Sequence, residues 1–128
     1  MKYSTELLHY FDHTEHAGTI TKADNVTIVT QGLSDNQEVI ELSLQWNHNT
    51  ISQARFRAYG TPALIAAAQW LCQWLEGKSL SDAIRLDRSQ ILHALLLSPV
   101  QVHVAQLLCS AVTSCLKNHQ KDAIASCE

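Results

Sequence analysis

The stretch Val39–Trp46, VIELSLQW, decides the fold class of this chain. Every second position is apolar and the positions between are polar, with Ile40, Leu42, Leu44 and Trp46 on one face and Glu41, Ser43 and Gln45 on the other. A period of two is typical of an antiparallel strand with one buried face. The stretch therefore predicts a half-buried strand whose polar face is turned away from the core.

Two further strands are predicted around this one. The polar segment Asn47–Asn49 has the composition of a turn, and Ile51–Tyr59 then returns as a strand with Arg55 and Arg57 on its outward face. Before the central strand, Val26–Thr30 alternates more weakly and predicts the third strand.

The periodicity changes from strand to helix after Gly60. Thr61 is suited to cap a helix N-terminus, and Pro62 fits the first helical position. Apolar residues then recur at helical spacing as far as Leu75, and Gly77 marks the end of the helix.

Caps and apolar periodicity predict four further helices, beginning at Ser4, Ser79, Arg88 and Ser98. The first is expected to end at about Asp12, and the last is long. One helix, three strands and then several helices is an order typical of the α+β class. We therefore expect a single domain over residues 1–128, in which a three-stranded antiparallel sheet carries helices packed on one face.

Composition excludes several classes of function. The 128 residues are 46% hydrophobic and 16% charged, and the formal net charge is -3. No segment concentrates Lys and Arg, which argues against nucleic acid or an anionic membrane as a partner. No apolar run approaches the roughly 20 residues that cross a bilayer, so a cytoplasmic protein is expected. Phosphate-loop, nucleophile-elbow and dinucleotide motifs are absent, so the chain is not expected to be an enzyme.

The chain has four cysteines and no Cys-x-x-Cys pair. They are Cys72, Cys109, Cys115 and Cys127. In a reducing compartment, scattered cysteines are usually buried and behave as small hydrophobic residues. That is the expectation for Cys72 and Cys109.

Several short phrases recur in the order and spacing of a known family. They are Tyr3-Ser4 with Gly18, Val39–Leu44, Ala54-Arg55-Phe56 leading to Tyr59-Gly60, Gly77–Leu80 with Asp82-Ala83, and Pro99-Val100 followed by His103. In these features the chain resembles the IscU/NifU-N family of iron–sulfur cluster assembly scaffolds, from Tyr3 to about Leu116. The resemblance implies the fold described above, an iron–sulfur cluster as cofactor, and cluster-assembly proteins such as a cysteine desulfurase as partners.

The resemblance also implies where the cluster ligands would lie. In the family, three cysteines hold the cluster, with an aspartate and a histidine beside them. The cysteine positions fall here on Asn36, Thr61 and Val104, the aspartate falls on Glu38, and the histidine is kept as His103. Cluster chemistry needs thiolates, which hold iron and accept sulfur. The chain therefore resembles a divergent scaffold that does not hold a conventional cluster and acts through protein interactions with the assembly machinery.

The remaining cysteines do not replace the lost ligands. Cys72 follows Thr61 by eleven residues on one predicted helix, which places it about 16 Å farther along the axis. Cys109 follows His103 by six residues, about 9 Å along its helix and roughly 240° around it.

Other functions remain open at this stage. His103 and Glu38, with Asn36, could bind zinc or a harder ion, or His103 could make a local hydrogen bond. His9, His13 and His16 would share one helical face if the first helix continued through His16, either as metal ligands or as a solvated face. A structural or regulatory domain unrelated to cluster assembly is a further alternative.

Trp70 and Trp74 are also ambiguous. They are four residues apart on the helix that follows Thr61. Either they pack into the core, or they form an exposed aromatic pair on a protein-binding face.

Overall fold

The fold is seen in a computed structural model that describes residues 4–21, 25–33, 38–97 and 102–126. The elements are α1 (Thr5–Asp12), β1 (Val26–Leu33), β2 (Glu38–Asn47), β3 (Thr50–Tyr59), α2 (Pro62–Leu75), α3 (Leu80–Ile84), α4 (Arg88–Leu95) and α5 (Val102–Ser126). Ser98, Pro99 and Cys127 lie outside the described residues. Within the described ranges, no helix combines the length and the apolar character needed to cross a membrane.

The three strands form one antiparallel sheet in the order β1-β2-β3, which confirms the predicted fold class. Val29, Leu42 and Phe56 lie side by side across the sheet and belong to its buried face. β1 continues to Leu33, beyond the predicted end at Thr30, because its last residues pair with the start of β2.

α2 and α5 pack against the buried face of the sheet. Thr61 caps α2 by accepting a hydrogen bond from the Leu64 amide, and Pro62 begins the helix, as the sequence predicts. Cys72 on α2 and Cys115 on α5 are fully buried in the shared core. Trp70 and Trp74 are half-buried against this core, and Lys78 Nζ lies 5.2 Å from the centroid of the Trp74 ring.

The polar face of the sheet is less exposed than the strand pattern suggests. Ser43 is completely buried, and its hydroxyl lies 3.2 Å from the Thr19 Oγ1. The segment that follows α1 therefore covers this part of the sheet. A period of two shows which residues share a face, but it does not reveal whether a connecting segment covers that face.

α5 is joined to the tip of the sheet by stacked aromatic rings. The His119 ring lies parallel to the Trp46 ring, with 3.7 Å between centroids and 5° between planes. His119 Nε2 is 3.2 Å from Asn49 Oδ1, and Trp46 Nε1 donates to Thr27 Oγ1 over 3.2 Å. These contacts connect α5 to β1 and to the β2–β3 hairpin.

Candidate functional site

Glu38 opens β2 and is almost completely buried, with 3% of its surface exposed. Because Val39 pairs with Tyr59, the start of β2 lies beside Gly60, at the end of β3. A Cβ atom on Gly60 would come within 2.8 Å of the Glu38 Cγ, and the φ angle of Gly60 is +149°. The absence of a side chain at Gly60 therefore makes room for the Glu38 side chain.

The carboxylate of Glu38 contacts one side chain of α5. His103 Nε2 donates to Glu38 Oε1 over 2.7 Å and links the first turn of α5 to the start of β2. The second oxygen, Glu38 Oε2, is buried and has no hydrogen-bond partner among the described residues. Buried polar atoms are rarely left in this state, because desolvation is then uncompensated.

The Glu38 oxygen that has no partner among the described residues makes this pair chemically suited to bind a cation. A buried carboxylate oxygen is stabilised by a hydrogen-bond donor or by a cation, and an imidazole nitrogen beside it is a common ligand for zinc or iron. Two protein ligands are fewer than the three that catalytic zinc sites use. In the part of the chain that the structure describes, no group of three or more His, Cys, Asp or Glu side chains could hold a metal ion.

The other positions implied by the resemblance bring no thiolate to the pair. Thr61 directly follows Gly60, and its hydroxyl accepts the Leu64 amide of the α2 cap. Val104 directly follows His103 and is fully buried, with no side-chain atom that can bind a metal. Asn36 lies outside the described residues.

Cys72 and Cys115 lie buried in the apolar core, as expected for Cys72, whereas Cys109 is only half-buried and lies beside polar residues such as Asp87 and Arg88. Burial raises the pKa of Cys115 to about 12, and burial likewise raises the pKa of Cys72 far above its usual value. Cys109 is half-buried on α5, and its pKa is raised by the same effect. Raised pKa values make these thiols poor nucleophiles, and the complete burial of Cys72 and Cys115 keeps an iron–sulfur cluster away from their sulfur atoms.

The structure does not bring His9, His13 and His16 together. α1 ends at Asp12, so the helix does not continue through His16 as a shared face would require. The His13 Nδ1 donates to the His9 carbonyl over 2.7 Å, and the two rings stack with centroids 4.6 Å apart. His16 lies beyond the helix and is turned towards α2.

A polar network around His16 was missed by sequence reasoning. His16 Nε2 donates to Glu76 Oε1 over 2.7 Å, while Gln69 Nε2 donates to His16 Nδ1 over 2.8 Å. Glu76 Oε2 accepts from Arg55 Nη1 at 2.9 Å and from the Ala54 amide at 3.0 Å. His16 lies 53 residues from Gln69 and 60 from Glu76, so no local spacing signals these contacts.

Comparison with known proteins agrees with this fold. The model of the NifU-like N terminal domain matches residues 2–125. The chain is 30% identical over 122 residues to the iron–sulfur cluster assembly scaffold protein IscU of Haemophilus influenzae, covering 94% of this chain and 97% of that protein. It is 27% identical over 122 residues to the protein of that name from Escherichia coli strain K12, covering 94% and 95% of the two chains.

Solved structures show the same fold at low sequence identity. The crystal structure of a nitrogen-fixing NifU-like protein (N-terminal) from Brucella abortus aligns with a TM-score of 0.73 at 13% identity, covering 92% of this chain and 94% of that chain. A putative scaffold protein for the SUF system from Fervidobacterium islandicum aligns with a TM-score of 0.71 at 15% identity, covering 89% and 96%. With a family model matched along nearly its whole length, the chain belongs to the NifU-like N-terminal domain family.

Proposed function

We propose that this chain is an iron–sulfur cluster assembly scaffold-like protein that holds no conventional cluster and acts through protein contacts with the assembly machinery. It is a cytoplasmic binding protein rather than an enzyme, and a cysteine desulfurase is the first partner to test. Support for the scaffold-like function comes from the family and from relatives named as cluster assembly scaffolds. The cluster is cargo of such scaffolds, and holding it requires thiolates.

One observation supports the proposal that the chain holds no conventional cluster. Two positions that bear ligand cysteines in the resemblance are Thr61, whose hydroxyl is used in the α2 cap, and Val104, which is buried in the core. Neither side chain supplies sulfur beside Glu38 and His103. Cys72 and Cys115 are completely buried in the core and do not reach this site.

Anaerobic reconstitution tests this loss. The purified chain is incubated with ferrous iron and sulfide, desalted, and measured by visible absorption and by iron and zinc analysis. We expect a colourless, folded, metal-free protein. The matched variant Asn36→Cys/Thr61→Cys/Val104→Cys should gain a brown chromophore, and its control carries serine at the same three positions. A stable brown wild-type protein with near-stoichiometric iron would show that other ligands exist and would overturn the proposal.

Contact with the assembly machinery needs a separate measurement. The cysteine desulfurase of the same organism is immobilised, and binding of the wild-type chain is followed by interferometry. Specific binding of the chain to the immobilised desulfurase supports the proposal. No binding at micromolar concentrations of the chain counts against this partner. A cysteine-free variant should bind equally well, because the proposed contact does not depend on sulfur chemistry.

The unpaired oxygen of Glu38 favours a second candidate, a metal-binding scaffold with altered ligands. Glu38 and His103 would hold zinc or ferrous iron, and further ligands would come from a partner or from water. Titration calorimetry with Zn²⁺ should then show binding that is lost in Glu38→Gln and in His103→Ala. His119→Ala is the control, because this histidine is stacked on Trp46 instead. Equal heats in all four proteins would eliminate this candidate.

A further inference from the structure

Residues 13–18, here called the strap, cover part of the edge of β3. β3 is an outer strand of the sheet, so one side of its backbone has no neighbouring strand. The Phe56 amide donates to the His16 carbonyl over 3.0 Å, and the Gly18 amide donates to the Phe56 carbonyl over 2.7 Å. Ala17 thereby forms a single parallel bridge with Phe56. These two bonds close the edge of β3 at Phe56, whereas residues 76–80 cover the edge nearer the start of the strand.

Gln69 of α2 and Glu76, the residue that directly follows α2, also hold the strap in place. Gln69 makes two bonds to one residue: its Oε1 accepts the His16 amide at 2.9 Å, and its Nε2 donates to the His16 ring at 2.8 Å. Glu76 accepts from the other ring nitrogen. Because Gln69 is only 1% exposed, removing its amide would leave the His16 groups without replacement by water.

The two ends of the strap have backbone conformations outside those of a helix. His13 ends α1 with φ -126° and ψ 66°, outside the helical region. Gly18 has a φ of +135°, and a Cβ placed on it would meet nothing within 4 Å. No neighbouring atom of the described residues therefore restricts the backbone conformation of Gly18, and glycine tolerates such changes at little steric cost.

We propose that the strap is a separately opening cover over the edge of β3, and that Gln69 and Glu76 keep it closed by holding His16. Opening uncovers the amide and carbonyl of Phe56, two groups that an extended segment pairs with in a sheet. The strap also lines a groove of about 490 Å³ together with Tyr59, which directly precedes the Gly60 of the candidate site.

Native-state hydrogen exchange on the intact chain tests this directly. The amides of Gly18 and Phe56 report the strap, and the amides of Ser43 and Leu44 in the central strand report global unfolding. We expect the strap amides to exchange at least tenfold faster than the reference amides, with weak dependence on urea, as in a local opening. Equal rates and equal urea dependence in both sets would show that the strap opens only when the whole domain unfolds, which overturns the proposal.

Two variants separate the role of Gln69 from general damage. Gln69→Leu should raise exchange of the Gly18 and Phe56 amides by about tenfold or more over that of Ser43, because two buried bonds to His16 are lost. Gln73→Leu is the matched control, since Gln73 is exposed on the same helix. If Gln69→Leu accelerates all four amides by one common factor, Gln69 stabilises the fold as a whole, and the proposal fails.

Discussion

Two glutamate–histidine pairs in this molecule have the same length and opposite surroundings. In both, a histidine Nε2 lies 2.7 Å from a glutamate Oε1. Glu76 has its second oxygen bonded to Arg55 and to the Ala54 amide, whereas the second oxygen of Glu38 has no partner among the described residues. Equal distances therefore do not mean equal roles. In our proposals the Glu76–His16 pair holds the strap, and the Glu38–His103 pair, with one oxygen lacking a partner among the described residues, is the candidate binding site.

The two largest expected effects are equal in size, and the first comes from the satisfied Glu76–His16 pair. Glu76→Gln should lower the free energy of unfolding by about 2 kcal/mol, because Arg55 loses its charged acceptor and the amide cannot satisfy all the donors around it. Urea denaturation followed by circular dichroism measures the change. Glu15→Gln, at an exposed position of the strap, is the control and should stay within about 0.5 kcal/mol of wild type. A neutral result for Glu76→Gln would remove the distinction between the two pairs.

Gly60→Ala tests whether the Glu38 side chain needs the open space beside Gly60. The new methyl group would lie 2.8 Å from Glu38 Cγ and would also strain the backbone at a φ of +149°. We expect a loss of about 2 kcal/mol in the free energy of unfolding. Gly77→Ala is the matched control: at a φ of +87° with open space around it, it should cost only the backbone strain of about 1 kcal/mol. Equal losses would mean that Gly60 is needed for its backbone conformation alone.

Glu38→Gln should have a smaller effect than the same substitution at Glu76. An amide oxygen can still accept from His103, and the other carboxylate oxygen has no hydrogen-bond partner among the described residues to lose. We expect the free energy of unfolding to change by less than about 1 kcal/mol. The comparison would fail if Glu38→Gln destabilised the fold as much as Glu76→Gln in the same urea titration.

The pH dependence of stability should show the smallest difference. Burial opposes ionisation of Glu76, but hydrogen bonds from His16, Ala54 and Arg55 outweigh it and hold the pKa of Glu76 below its usual value. A lowered pKa in the folded state adds stability above the unfolded pKa of about 4.3, and this stability is lost as the pH falls further. Glu76→Gln should flatten the stability curve below pH 4.5. A curve parallel to wild type would contradict this assignment.

The framework was predictable because its signals are local. Thr61, Pro62 and the alternation in Val39–Trp46 each act within a few residues, and the helix and strand they predict are present. Glu38 and His103 were named together only through the resemblance, and they lie in contact. The His16 network could not be predicted, since its residues come from the strap, from α2 and its C-cap, and from β3, which meet only in the folded chain.

The ring stack between Trp46 and His119 gives the protein an optical reporter. Trp46 is 3% exposed, whereas Trp70 and Trp74 are half-buried on α2. The fluorescence of a buried indole ring has a shorter wavelength than that of a solvent-exposed one. A protonated histidine ring nearby quenches this fluorescence. If α5 leaves the hairpin, the emission of Trp46 should shift to longer wavelength. A single-tryptophan variant would then report by fluorescence whether a partner moves the helix that carries His103.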